Sequence, residues 1–275
     1  MTENVAELIA GRIGMMPAGE RRAAQALVAS YPLAGLKTVA EFAQAAGVSS
    51  PTILRFVARL GYHNYAEFQS ALQDELAAQL QSPAARTALP DRSKSGAISP
   101  LLEATISNLH ETFRHISDAQ LAEIAERLSN RRGHVYLVGG RFTDPLARYM
   151  TAHLSIIRSN VFHLDGQESM WQDRIIDMGK RDALLIFDIR RYQPSLLRLA
   201  EKAHQRGVWI VLLTDQWLSP IARFAHHVIA GRTAVPSLWD SSATLFVATE
   251  AVIGAVTRRS EANTALRLRE MERLR

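Results

Sequence analysis

Apolar residues recur at helical spacing through the first part of the chain. The segment 20–30 places Ala23, Ala26 and Leu27 on one face and stops at Tyr31-Pro32, because proline disfavours helix in the residue before it. A second short helix spans 39–46, opened by Thr38 as N-cap and closed by Gly47. A third runs over 51–60, with Ser49 or Ser50 as N-cap, Pro51 in the first turn and Gly61 at the end. A fourth, 65–80, carries Phe68, Leu72, Leu76 and Leu80 one turn apart.

The stretch 81–99, QSPAARTALPDRSKSGAIS, has no periodicity and reads as a linker. Beyond it the pattern changes. Helical segments at 101–116 and 118–130 are followed by short apolar, β-branched runs at 134–138, 160–164, 183–188, 208–213 and 226–229. Amphipathic stretches near 144–158, 168–178, 194–206 and 219–224 separate those runs, and a helix over 240–258 closes the series. Strands alternating with helices imply a parallel sheet covered on both faces. The predicted layout is an all-α domain at 1–80, a linker at 81–99, an α/β domain at 100–260 and an Arg-rich helical tail at 261–275 with Leu266, Leu268, Met271 and Leu274.

Charge refines this picture. The net charge of +5 hints at a polyanionic partner, yet residues 1–80 hold six basic against seven acidic side chains. Nucleic-acid binding therefore has to be argued from placement. Cysteine is absent, which excludes disulfides, thiol nucleophiles and Cys-based zinc sites and fits a reducing cytoplasm. Residues 1–16 lack the apolar core of a secretory leader, and no uncharged run reaches the roughly 18 residues of a membrane span. A soluble cytoplasmic protein is expected.

Placement favours DNA. With Val39 as position one of a helix-turn-helix, the small Ala43 falls at five and Gly47 falls at nine, where the turn needs positive φ. Phe42, Ala46, Val48, Ile53 and Phe56 fill the core positions. The second helix then presents Ser49, Ser50, Thr52 and Arg55, with Arg59 a turn later and Thr38 at the cap of the first helix. Hydroxyls and a helix N-terminus suit phosphate oxygens. Arg55 suits a guanine edge, a contact worth ~1–3 kcal/mol of discrimination. The competing reading is a helical hairpin in a bundle with no nucleic-acid partner.

The run ERRAAQALVAS followed by TVAEFAQAAGVSSPTILRFVARLGYHNYAEFQSAL resembles the N-terminal domain of RpiR-type transcriptional regulators, most specifically over Val48–Tyr62. The remainder resembles the sugar isomerase (SIS) domain of that family. The resemblance implies a five-stranded parallel sheet flanked by helices, an effector site on that sheet, and a homodimer or homotetramer bound to double-stranded DNA.

In an open parallel sheet, ligands bind beyond the carboxyl ends of the strands. The first strand runs into Gly139, Gly140, Arg141, Phe142 and Thr143, where glycines can turn backbone N–H groups toward an anion. The third runs into Asp188, Arg190, Arg191 and Tyr192. SIS domains that bind phosphosugars usually carry a Ser/Thr-rich turn with glycine there, and this chain departs from that pattern. Two arginines with a tyrosine can instead clamp a carboxylate or phosphate, although pairing with Asp188 or solvation accounts for them equally well. By the resemblance, Trp239 and Ser242 at the start of the last sheet-packing helix are secondary site candidates. Asp240 or Ser241 reads as an N-cap.

The expected effector is a small anionic metabolite, a sugar phosphate or a carboxylate. No cofactor, metal site or catalytic triad is legible. His110 and His115 are five apart, and His226 and His227 point to opposite faces of a strand. Two other functions remain open at this point: a sugar-phosphate isomerase with Glu168 as general base, and a sequence-insensitive nucleoid protein.

Overall fold

The computed structural model describes residues 4–80, 98–166 and 168–274. Of the expected linker, residues 81–97 lie outside the described residues, and Ile98 and Ser99 already belong to a helix.

The N-terminal region is all helical: α1 Val5–Arg12, α2 Ala18–Ala29, α3 Leu33–Leu36, α4 Val39–Ala46, α5 Ser50–Leu60 and α6 Tyr65–Leu80. Local chemistry sets the boundaries of α4 and α5. Thr38 and Glu41 form a reciprocal capping box at the start of α4. Gly47 closes it at φ 61°, and the Gly47 and Val48 amides bond back to Gln44 and Ala43. Gly61 closes α5 the same way at φ 104°. One face of α5 (Ile53, Phe56, Val57, Leu60) is buried, while Leu54, Arg55 and Arg59 on the other are exposed. Phe42, Phe56 and Phe68 form an edge-to-face column with centroids 6.3 and 6.4 Å apart, locking α4, α5 and α6 together.

The helices α1 and α3 were not expected. They are short, and α3 has no cap signal. For α1 the signal was present: Asn4 and Glu7 have capping-box spacing, and both halves of that box are formed.

The second region follows the order α7 Ile98–Phe113, α8 Asp118–Ser129, β1 Val135–Gly139, α9 Asp144–Ile157, β2 Val161–His163, α10 Glu168–Asp177, β3 Ala183–Asp188, α11 Pro194–Gln205, β4 Trp209–Asp215, a 3-10 turn Pro220–Phe224, β5 His227–Gly231, α12 Ala243–Arg259 and α13 Glu261–Arg273. The five strands are all parallel, in the order β2-β1-β3-β4-β5. Every residue of β3 is buried, so its run Ala-Leu-Leu-Ile-Phe is apolar on both faces. Leu185 and Phe187 face a core built by α8, α9 and α12. Leu184 and Ile186 face a second core built by α10, α11 and the 3-10 turn. The tail helix α13 lies against α9, where Asn263 and Arg267 donate to the carbonyls of Ile157, Ile156 and Ser155. Those carbonyls belong to the last turn of α9 and have no intrahelical partner.

The two regions touch. Ala6 of α1 belongs to the second of these cores, beside Leu218, Ile221 and Ala222, with Val28 and Tyr31 packed against the same cluster.

Candidate functional site

The N-terminal end of α5 is presented outward. Ser49, Pro51 and Arg55 are exposed, and Ser50 and Thr52 are half-buried. The Ser49 and Thr52 hydroxyls are 2.9 Å apart, and the Arg55 guanidinium donates to Thr52 Oγ1 at 3.0 Å. The sequence-predicted residues Ser49, Ser50, Thr52 and Arg55 are thus brought together on one helix end. Thr38 is exposed, but its hydroxyl is engaged in the α4 capping box.

Arg59 departs from the expectation. Its guanidinium turns back to form an ion pair with Glu20, whose side chain is only 4% exposed. A buried carboxylate needs a partner, so Arg59 is engaged in holding α5 to α2.

Parallel pairing brings the carboxyl ends of the strands to one edge of the sheet, with Gly139 beside Phe187, Asp188 beside Thr214 and Asp215 beside Gly231. The turn after β1 is internally bonded. Gly140 N donates to Phe187 O and to Thr143 Oγ1, both at 2.9 Å, and Thr143 Oγ1 donates to Phe187 O at 2.6 Å. Thr143 is therefore buried and braces β1 to β3, so its hydroxyl is not turned to a ligand as the sequence suggested. Gly139 is required for a different reason from the one expected. A Cβ there would stand 2.4 Å from Asp144 N, because the helix start passes directly over the strand end.

The turn after β3 converges on two buried carboxylates. Asp188 accepts from Ser219 Oγ at 2.6 Å and from Gln193 N at 3.2 Å. Burial pushes its pKa up to about 6, with the nearby Asp215 adding to the rise. Asp215 accepts from Tyr192 OH at 2.7 Å, from Trp217 N at 3.0 Å and from Arg190 N. Burial likewise pushes it up to about 6.

Arg190 does not pair with Asp188 by its side chain. Its guanidinium lies over the Trp217 ring, 4.3 Å from the centroid, and forms an ion pair with Asp240. Asp240 is therefore not an N-cap. Ser242 occupies that position without a side-chain bond, and the Ser241 hydroxyl accepts from Ala243 N.

Arg191 is exposed and left-handed at φ 69°. Around the mouth, Trp239 is 61% exposed and its ring is 5.9 Å from that of Phe142, over which Arg141 lies at 5.3 Å. The candidate site thus has Asp188, Arg190, Tyr192 and Asp215 as its floor, with the exposed Arg141, Phe142, Arg191 and Trp239 on the adjoining turns. Sequence reasoning placed Asp215 and Trp217 at the end of the fourth strand without a role at the site, and read Asp240 as a possible N-cap. The signal for Asp215 was an acidic residue at the end of an apolar strand, where burial makes a carboxylate costly unless several donors meet it.

Glu168 sits at the start of α10, where both its oxygens accept from Arg198 at 2.9 Å. Among the described residues no cluster of His, Asp or Glu could hold a metal, and no helix is long and apolar enough to cross a membrane.

Comparison with known proteins agrees with this architecture. Residues 3–79 match the helix-turn-helix domain of the rpiR family, and residues 127–255 match the SIS domain. An uncharacterized HTH-type transcriptional regulator of Haemophilus influenzae is 23% identical over 252 residues, which cover 89% of this chain and 87% of that protein. The sugar isomerase domain of an RpiR transcription factor from Sphaerobacter thermophilus shares the fold with a TM-score of 0.57 at 23% identity, over 63% of this chain and 96% of that one. The Vibrio vulnificus NanR protein, solved in complex with ManNAc-6P, shares it with a TM-score of 0.56 at 15% identity, over 98% of this chain and 97% of that one. A helix-turn-helix domain of the rpiR family followed on one chain by a SIS domain makes this protein a member of the RpiR-type family of transcriptional regulators.

Proposed function

We propose that the protein is a ligand-responsive regulator that reads double-stranded DNA with α5 and binds a small anionic metabolite at the strand ends. The observation that carries the reading is the outward presentation of Ser49, Ser50, Thr52 and Arg55 on one helix end, with hydroxyls and a guanidinium free of the core. In this reading the hydroxyls and helix N-terminus meet phosphate, and Arg55 meets a base edge. The protein works in the cytoplasm as a homodimer or homotetramer, because two-fold symmetry sets the spacing of operator half-sites.

The metabolite carries a phosphate or carboxylate that meets Arg141 and Arg191 at the rim, with Phe142 and Trp239 covering its apolar part. Gly140, Arg190 and Tyr192 shape the floor. A phosphosugar is one candidate, since NanR was solved with ManNAc-6P. The Ser/Thr-rich phosphate turn is replaced here by an arginine-bearing one, which widens the candidates to sugar acids and other carboxylates.

The test has two arms on the full chain. Duplexes selected from a random pool should converge on a two-fold symmetric sequence. A thermal-shift survey of hexose phosphates and sugar acids should find a compound that raises Tm and changes the affinity for that duplex. Binding that ignores sequence and follows salt alone would overturn the reading.

A further inference from the structure

The helix α1 joins the two regions, and its N-terminal cap has partners on both sides. Asn4 Oδ1 accepts from Glu7 N at 2.8 Å, and the Glu7 carboxylate accepts from Asn4 N at 2.9 Å. Each residue also reaches the sheet. Asn4 Nδ2 donates to Gln216 O at 3.0 Å. Glu7 takes the Arg232 guanidinium in a two-pronged ion pair, with Nε 2.7 Å from Oε1 and a second bond from the terminal nitrogen to Oε2. Both side chains are about 6% exposed.

Gln216 is the residue after β4, and Arg232 is the residue after β5. They are tied to each other, because Thr233 N donates to Gln216 Oε1 at 3.1 Å. On its other side α1 is held to the helical region. Val5 N donates to Glu75 Oε1 at 2.8 Å, and Glu75 also accepts from Tyr31 OH.

These contacts are short steps from the candidate ligand floor. Asp215 receives Arg190 N, Tyr192 OH and Trp217 N, and Gln216 is the residue between Asp215 and Trp217. Arg232 O accepts from Thr244 Oγ1, in the first turn of α12 and just beyond Asp240, the ion-pair partner of Arg190. Beside α1 the interface is not filled. A cavity of about 490 Å³, bordered by Ile9, Ile13, Val28, Leu218 and Ile229, separates the helix from the edge strand β5. Among the described residues the helical region meets the sheet region through the apolar contact of Ala6, Val28 and Tyr31 and through these polar ties, with the cavity open on one side.

We propose that the α1 cap is a latch: Asn4–Gln216 and Glu7–Arg232 tie the position of the DNA-reading region to the state of the turns at 188–193 and 215–217. An anion that draws Arg190 away from Asp240 loosens the turns after β4 and β5 together and releases α1. Such a ligand acts because it favours the released arrangement over the latched one. This rests on the strand ends being the ligand site, and the experiment that tests it uses neither DNA nor ligand, so its failure is distinct from failure of that reading.

The chain has no cysteine, so Ala45→Cys on α4 and Gln205→Cys on α11, both at exposed positions, give a clean spin-label pair. Distances are measured in the full chain by double electron–electron resonance, diluted with unlabelled chain. The parent pair should give one narrow distance. Glu7→Gln should add a second, broad population. So should Asn4→Asp, which keeps the helix cap but loses the donor to Gln216 O; a purely structural cap would be indifferent to that change. Asp215→Asn and Arg190→Lys, at the strand ends, should broaden the distribution as well. Unchanged circular dichroism certifies folding, and if one variant misfolds the other three decide. The latch is overturned if Asn4→Asp leaves the distance narrow. It is also overturned if both strand-end variants leave it narrow while Glu7→Gln broadens it.

Discussion

The guanidinium of Arg190 lies over the indole of Trp217, 4.3 Å from its centroid, while its own backbone N–H bonds the carboxylate of Asp215. One residue thereby fixes the turn after β3 against the turn after β4. Stacking and a planar fork are properties of arginine that lysine lacks.

Arg190→Ala should cost about 1–3 kcal/mol of stability, since the stack is lost and Asp240, only 18% exposed, loses its cation. Arg190→Lys should recover less than half of that loss. Urea denaturation of the three proteins measures both effects; equal stability of the Ala variant and the parent would contradict the structural role.

On α5 the two arginines should separate. Arg55→Ala should leave Tm unchanged and weaken binding to the selected duplex by a factor corresponding to ~1–3 kcal/mol. Arg59→Ala should do the reverse, lowering Tm because Glu20 is left buried without this partner. Parallel melting and gel-shift series at matched salt decide between them.

Two adjacent glycines should behave differently. Gly139→Ala places a methyl against backbone, 2.4 Å from Asp144 N, and should destabilise by about 2 kcal/mol or more. At Gly140 the nearest atoms to an added methyl are side-chain oxygens at 3.5–3.7 Å, so Gly140→Ala should fold with a loss under about 1 kcal/mol. Because two of those atoms are on Gln193 and Asp188, it should still reduce any ligand-induced thermal shift.

The buried carboxylates imply a pH signature. With a folded-state pKa near 6 and a lower value in the unfolded chain, Asp188 holds its proton more tightly when folded. Its contribution is therefore most favourable near pH 4 and falls as pH rises through 6. The stability of the parent relative to Asp188→Asn should decline between pH 4.5 and pH 7. Paired denaturation curves read that difference directly, and a gap that widened with pH would refute the assignment.

Much of the architecture was legible because it rests on local chemistry and periodicity. Thr38, Gly47, Pro51 and Gly61 punctuate α4 and α5 where the pattern put them, and the apolar runs became the five strands to within a few residues. The strand-end site was legible as a location but not as a set of bonds. Arg190 could be placed at the end of β3 from the sequence. That it would stack on Trp217 and pair with Asp240, fifty residues away, depends on strand order and loop course, which periodicity does not encode. Arg59 misled for a related reason: its spacing marked it as outward on α5, and only tertiary packing brings Glu20 beneath it. The helix α1 was missed although Asn4 and Glu7 carried its cap signal.

The column of Phe42, Phe56 and Phe68 has a consequence for how control is exerted. Those rings fix α5 within its own region, so an event at the sheet reshapes the exposed face of α5 only by unpicking an aromatic core. In the proposed function, control comes as leverage, by tilting or freeing an unaltered head. What the protein reads and when it reads then become separable traits. In the function proposed above, the face of α5 is open to rewriting for a new promoter while the strand ends stay as they are.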